Sequence, residues 1–173
     1  MTYRRFIAAT VAGLLGACTT TPPPPAAPVS LTNASPEAMV AAIRATAAHD
    51  DAELAVQPLR DPMVDDLREQ AQRLEAQKHY QDAAAALDKA LALVPEDPAL
   101  LQERAEAALL LRDDATAERL ARQAYALGAK VGPLCRRHWA TIQQTRLVAG
   151  DAAGATSAKA MIDGCKVSGP NRF

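Results

Sequence analysis

Large rings are scarce in this 173-residue chain: aromatic residues make up 3% of it, with one Trp, three Tyr and two Phe. Past the first thirty residues only Tyr80, Tyr125, Trp139 and the terminal Phe173 remain, in a background of Ala, Leu, Arg, Glu and Asp. That is a helical composition. No apolar run is long enough to span a bilayer: the longest, residues 6–16, has about eleven residues where a span needs about 20. There is no basic excess, since 19 Lys and Arg face 20 Asp and Glu, so a phosphate-tracking nucleic-acid binder is excluded. The three histidines, His49, His79 and His138, lie far apart. Cys135 and His138 have a C-x-x-H spacing, but no second pair completes a tetrahedral metal site. Ser30, Ser35, Ser157 and Ser168 are not in a nucleophile-elbow setting, and no glycine loop could cradle a phosphate. The acidic residues fall on polar helix faces, where they are solvated. No catalytic residue, metal or cofactor is expected, and the chain reads as a non-enzyme.

What the chain does have begins at its start. Arg4 and Arg5 precede the apolar run, which stops at "LLGACTT" and gives way to four prolines, Pro22 to Pro25. Charged head, short apolar stretch and small residues are the layout of an export signal. Leu15-Gly16-Ala17-Cys18 resembles the lipobox of bacterial lipoproteins, which implies cleavage after Ala17, acylation of Cys18 and a lipid-anchored mature chain. An uncleaved anchor, a secretory signal cut at Ala17 and a twin-arginine signal on Arg4-Arg5 are the other readings. Thr19 follows the cysteine; the resemblance implies that a residue other than Asp there permits transfer to the outer membrane, facing the periplasm. Residues 19–32 hold five prolines and no charge, so they form a stiff tether that could reach about 40 Å. Removing Arg4 and Arg5 with the leader (residues 1–17) leaves 17 basic against 20 acidic residues.

After the tether (18–34), Ser35, Pro36 and Glu37 predict a helix start, with Met39, Ile43 and Ala47 on one face. Pro58 and Pro62 predict an extended connector over 56–62. A repeat follows. "LREQAQRLEAQKHYQDAAAALDKALALVP" is two apolar-striped segments broken near Lys78-His79, and "LLQERAEAALLLRDDATAERLARQAYALG" repeats the plan with its break at Arg112-Asp113, about 34 residues on. This resembles the tetratricopeptide repeat. Leu67, Ala71, Leu74, Tyr80, Ala83, Leu87, Ala90 and Pro95 carry the pattern in the first unit; Leu101, Ala105, Ala108, Ala117, Ala121 and Ala124 carry it in the second, with Asp114 replacing an aromatic. A third unit fits through Trp139, Gly150, Asp151 and Ala155, with Gln143 where a small residue is usual.

The expected fold is therefore all-α: a short right-handed solenoid of three helical hairpins (64–97, 98–131 and 134–165) behind an extra N-terminal helix, with a tail at 167–173. If Cys18 is acylated, Cys135 and Cys165 remain as a pair. They stand level on the two helices of the third hairpin, about 15 residues either side of its turn, and a disulfide is expected between them. Trp139 is expected in the core. Arg136-Arg137-His138 reads as a solvated helix start, with a surface contact as the other reading. The resemblance implies that the first helix of each unit lines a concave groove, which assigns Arg68, Gln72, Gln102, Glu106, Leu109, Leu110, Arg137, Gln144, Leu147 and Val148 to partner binding. Arg68 and Arg137 would pair with acidic groups, and the leucines would hold apolar anchors of an extended or helical peptide. Glu69 and Ala99 depart from the family's carboxylate clamp, so that specificity is not expected. The function implied is an anchored adaptor or scaffold for an envelope protein or peptide; similar repeat proteins assist pilus assembly, barrel-protein assembly and cell-wall synthesis. The alternative is a self-associating structural lipoprotein.

Overall fold

The computed structural model describes residues 29–47 and 61–166. The leader, Cys18, most of the tether, most of the connector and the tail lie outside the described residues. Within them the regular structure is helical: α1 (Pro36–Ala45), α2 (Pro62–Ala76), α3 (Tyr80–Leu93), α4 (Pro98–Leu110), α5 (Asp114–Leu127), α6 (Pro133–Val148) and α7 (Ala152–Gly164). Each of α2 to α6 packs against the helix that follows it, and α2/α3, α4/α5 and α6/α7 are the three hairpins.

Punctuation at the helix ends explains this division. Proline opens α1, α2, α4 and α6, where its fixed φ suits the helix and its missing N–H has no partner to lose. Pro62 thus belongs to α2 rather than to the connector, with Asp61 as its N-cap accepting from Met63. All three hairpins turn in the same way. Lys78, Arg112 and Gly150 take positive φ of 62°, 60° and 74°, and the next residue donates backward to Leu74, Ala108 and Arg146, each at 2.9 Å. This is a Schellman closure. The donating residue is also the N-cap of the returning helix: Asp113 accepts from Thr116 and Asp151 from Gly154, whereas His79 caps nothing with its side chain.

Small residues let the hairpins close. Ala71, Ala83, Leu87 and Ala90 are buried in one cluster, and Leu101, Ala105, Ala121, Ala124, Ile142 and Ala158 in another. At the far end Cys135 on α6 and Cys165 after α7 are joined by a disulfide, Cα–Cα 5.7 Å. Gly132, at φ 92° before α6, donates to the Cys165 carbonyl at 2.7 Å and ties the incoming loop to that end. Trp139 is half-buried, edge-on to Tyr125 at 5.0 Å.

Candidate functional site

The site is the face made by α4 and α6, and α1 lies across it. Ser35 starts α1 by accepting from the Ala38 amide at 3.2 Å. The helix then buries Pro36, Met39, Val40 and Ile43, a spacing of i, i+3, i+4, i+7 that puts one apolar stripe on one face. Val40 and Ile43 pack on Ala108, Leu109 and Leu110 of α4 and Ala140 of α6. The chain leading into α1 continues along the same face, where the Leu31 amide donates to the Leu147 carbonyl at 2.8 Å.

Under the end of α1 is a buried polar network centred on Glu106. Its carboxylate, 0% exposed, accepts from Arg44 Nε of α1 at 2.7 Å, from Arg137 Nε of α6 at 2.9 Å and from Gln102 Nε2 at 2.9 Å. Two guanidinium groups compensate one buried charge, which is the condition under which such burial is tolerated. Gln102 Nε2 also donates to Thr141 Oγ1 at 2.8 Å. His138 Nδ1 donates to Gln102 Oε1 at 2.7 Å, while His138 Nε2 is buried with no partner among the described residues. Burial first, then the nearby Arg137 and Lys130 charges, push the His138 pKa down to about 3. It is a neutral core imidazole.

Arg44 also forks onto Glu75 of α2, at 2.7 and 2.9 Å. Burial works against its charge, but the Glu75 and Glu106 bonds outweigh it and hold its pKa above the usual arginine value. Arg68 of α2 is held by Glu103 of α4 through two hydrogen bonds, one at 2.9 Å; that partner raises its pKa despite partial desolvation. What stays open is a cleft of about 580 Å³ with Arg44, Arg68, Gln72, Glu75, Glu103 and Arg137 on its walls and Ala71, Ala83 and Leu87 beneath.

The expected groove residues therefore separate into groups. Gln102, Glu106, Leu109 and Leu110 of α4 are all buried, the last three against α1 and Gln102 against Thr141 and His138 of α6, and offer no open surface. Arg68 and Arg137 are not free cations, because Glu103 and Glu106 already neutralise them. Gln72 is exposed; Gln144, Leu147 and Val148 are half-buried, and Val148 borders a second cleft with residues 30–36. Arg136-Arg137-His138 is no solvated helix start. Arg136 and His138 are buried, and Arg136 Nε donates to the Thr46 carbonyl at the end of α1 at 2.8 Å. Arg44 and Glu103 were missing from the expected set. The legible signal for Arg44 was α1 itself, since so short a helix with an apolar stripe cannot stand alone and must dock; Glu103 left none.

No known family pattern and no curated protein sequence matches the chain. A solved structure does: the globular C-terminal domain of P. aeruginosa LpoP, at 30% identity and a TM-score of 0.58, over 61% of this chain and 99% of that one. The chain thus belongs to the same family of helical domains as the globular C-terminal domain of LpoP.

Proposed function

We propose that this protein is a non-enzymatic adaptor of the bacterial envelope, lipid-anchored at Cys18, most naturally in the outer membrane facing the periplasm, and that it engages a partner protein or peptide through the concave side of its repeat array. The observation that carries the reading is that this side binds a helix: α1 lies on the α4–α6 face with its apolar stripe inward and its arginine on a buried carboxylate. That is helix-in-groove recognition. The fold shared with the LpoP domain supports the same reading. The accessible entry is the cleft beside α1, where Gln72 is exposed and paired charges on both walls can re-pair with a polar ligand.

A photo-crosslinker at Gln72 should capture a partner in cells, and one at Lys89 on the outer helix α3 should not. Arg68→Glu should remove that capture in a folded chain. Cys18→Ala should abolish fatty-acid labelling and release the protein from membranes. Equal capture from both positions would refute the concave face as the binding surface, and a labelled Cys18→Ala chain would refute the anchor.

A further inference from the structure

We infer that α1 is a built-in stand-in for the ligand: the α4–α6 groove takes, from a partner protein, a short amphipathic helix with apolar residues at i, i+3, i+4 and i+7 and an arginine at i+8, and α1 occupies that place until displaced. This rests on the concave-groove reading above.

The ligand chemistry is read directly from the occupant. Pro36, Met39, Val40 and Ile43 form the buried stripe, and Arg44 follows as the next residue. The groove meets each of these features. Leu109, Leu110 and Ala140 supply an apolar floor, and Glu106 presents a desolvated carboxylate where the incoming arginine ends. Apolar length and one fixed charge together set both register and direction, because a reversed helix would place its cation away from Glu106.

The occupant is also built to leave. The array is a continuous series of neighbouring helices from α2 to α7, and α1 stands outside it, packed on α4 and α6 and joined to α2 and α3 by the Arg44–Glu75 and Tyr80–Glu37 side-chain bonds. Its ten residues are fewer than the roughly 12–15 an isolated helix needs. When α1 departs, Glu106 keeps Arg137 and Gln102, so the buried carboxylate is not abandoned. Arg44, 44% exposed at its side chain, gives up its Glu106 and Glu75 bonds for water, and Glu75 is itself 25% exposed and gains water in turn.

The test uses the full chain and a labelled synthetic peptide of residues 29–47 as probe. In the double variant Val40→Asp/Ile43→Asp the groove is vacated, and the peptide should bind saturably, while wild type binds it at least about tenfold more weakly because the competitor is tethered. A peptide carrying Arg44→Glu should lose about tenfold or more, the worth of a charge-assisted bond. Hydrogen exchange supplies a second measurement that needs no vacated variant: in wild type, α1 amides should open far more often than those of α4. Should the double variant not fold, the milder Arg44→Glu chain replaces it, with peptide binding between wild type and zero competition. Failure of the peptide to bind a vacated but folded array, equal binding to wild type and variant, or α1 amides as protected as those of α4 would overturn the inference. Concentration-dependent wild-type dimers lost in Ile43→Asp would overturn it too, by making a second copy the occupant. If the peptide fails while capture at Gln72 persists, this inference falls and the adaptor reading stands; capture lost with peptide binding intact removes the cleft and keeps the groove's ligand class.

Discussion

Replacing Glu106 by Gln tests the central contact of the site. The substitution keeps volume and removes the charge, and it turns one acceptor oxygen into an amide that faces a guanidinium. Breaking one side of a buried ion pair costs about 3–5 kcal/mol when the orphaned charge stays buried. Here it does not stay fully buried. Arg44 is 44% exposed at its side chain and retains both Glu75 bonds, while Arg137 is 21% exposed and can take up water. The expected loss is therefore about 2–3 kcal/mol. It should fall unevenly. The Arg44 share belongs to α1 docking, so α1 amides should lose protection before those of α4 and α5. Urea denaturation at pH 7 reads the total, and hydrogen exchange reads the division. A cycle with Arg44→Met should give a coupling of about 1–2 kcal/mol. A stability change below about 0.5 kcal/mol with α1 protection unaltered would show that Glu106 does not hold α1, and the argument for an arginine-reading groove would go with it.

Three further outcomes follow from other parts of the fold. The Cys135–Cys165 link spans 30 residues of sequence, so reduction, or Cys135→Ser with Cys165→Ser, should cost about 3–4 kcal/mol in urea, and an unchanged midpoint would contradict it. His138 is neutral in the fold, with its pKa pushed down from 6.5 to about 3 by burial. The unfolded chain therefore takes up a proton near pH 6.5 that the native state refuses, so stability is full above that pH and falls as pH drops. About 2 kcal/mol should be lost between pH 7 and pH 5, and His138→Gln should flatten that slope; an equal slope in both proteins would place the titration elsewhere. His79 is the N-cap of α3 without a side-chain bond, at the position where Asp113 and Asp151 cap α5 and α7. His79→Asp should add about 1 kcal/mol, seen as a higher melting temperature, and a lower one would mean that Asp cannot reach the α3 amides.

Much of the architecture could be read in the sequence because its causes are local. Ser35 and Pro36 start a helix through bonds within three residues, and the breaks at Lys78-His79, Arg112-Asp113 and Gly150-Asp151 are short turns whose chemistry lies in place. Alanines at helix crossings carry the hairpin pattern for the same reason. The site was only partly legible. Repeat register assigns Gln102, Glu106, Leu109 and Leu110 to the concave side, but register cannot tell whether a distant segment covers them. Arg136-Arg137-His138 differs between sequence and structure for that reason: a run of cations at a helix start has a solvated look, and its partners are Thr46, 90 residues earlier, and Gln102 and Glu106 on another helix. Arg68 is similar, since Glu103 stands 35 residues away in sequence.

The position of α1 also decides where mechanical load would go. A chain held at its N-terminal end and pulled from its domain transmits tension first into residues 29–35 and α1. Those residues are fastened to α4 and α6 and to the Leu147 carbonyl. Force therefore enters mainly through the middle hairpin and the one closed by the disulfide, with a smaller share reaching the first hairpin through the Arg44–Glu75 and Tyr80–Glu37 bonds. The α1 contacts are the weakest link on that path, so they would yield before any hairpin peels away. Modest tension would thus act as a clutch, slipping at α1 while the array behind it keeps its shape.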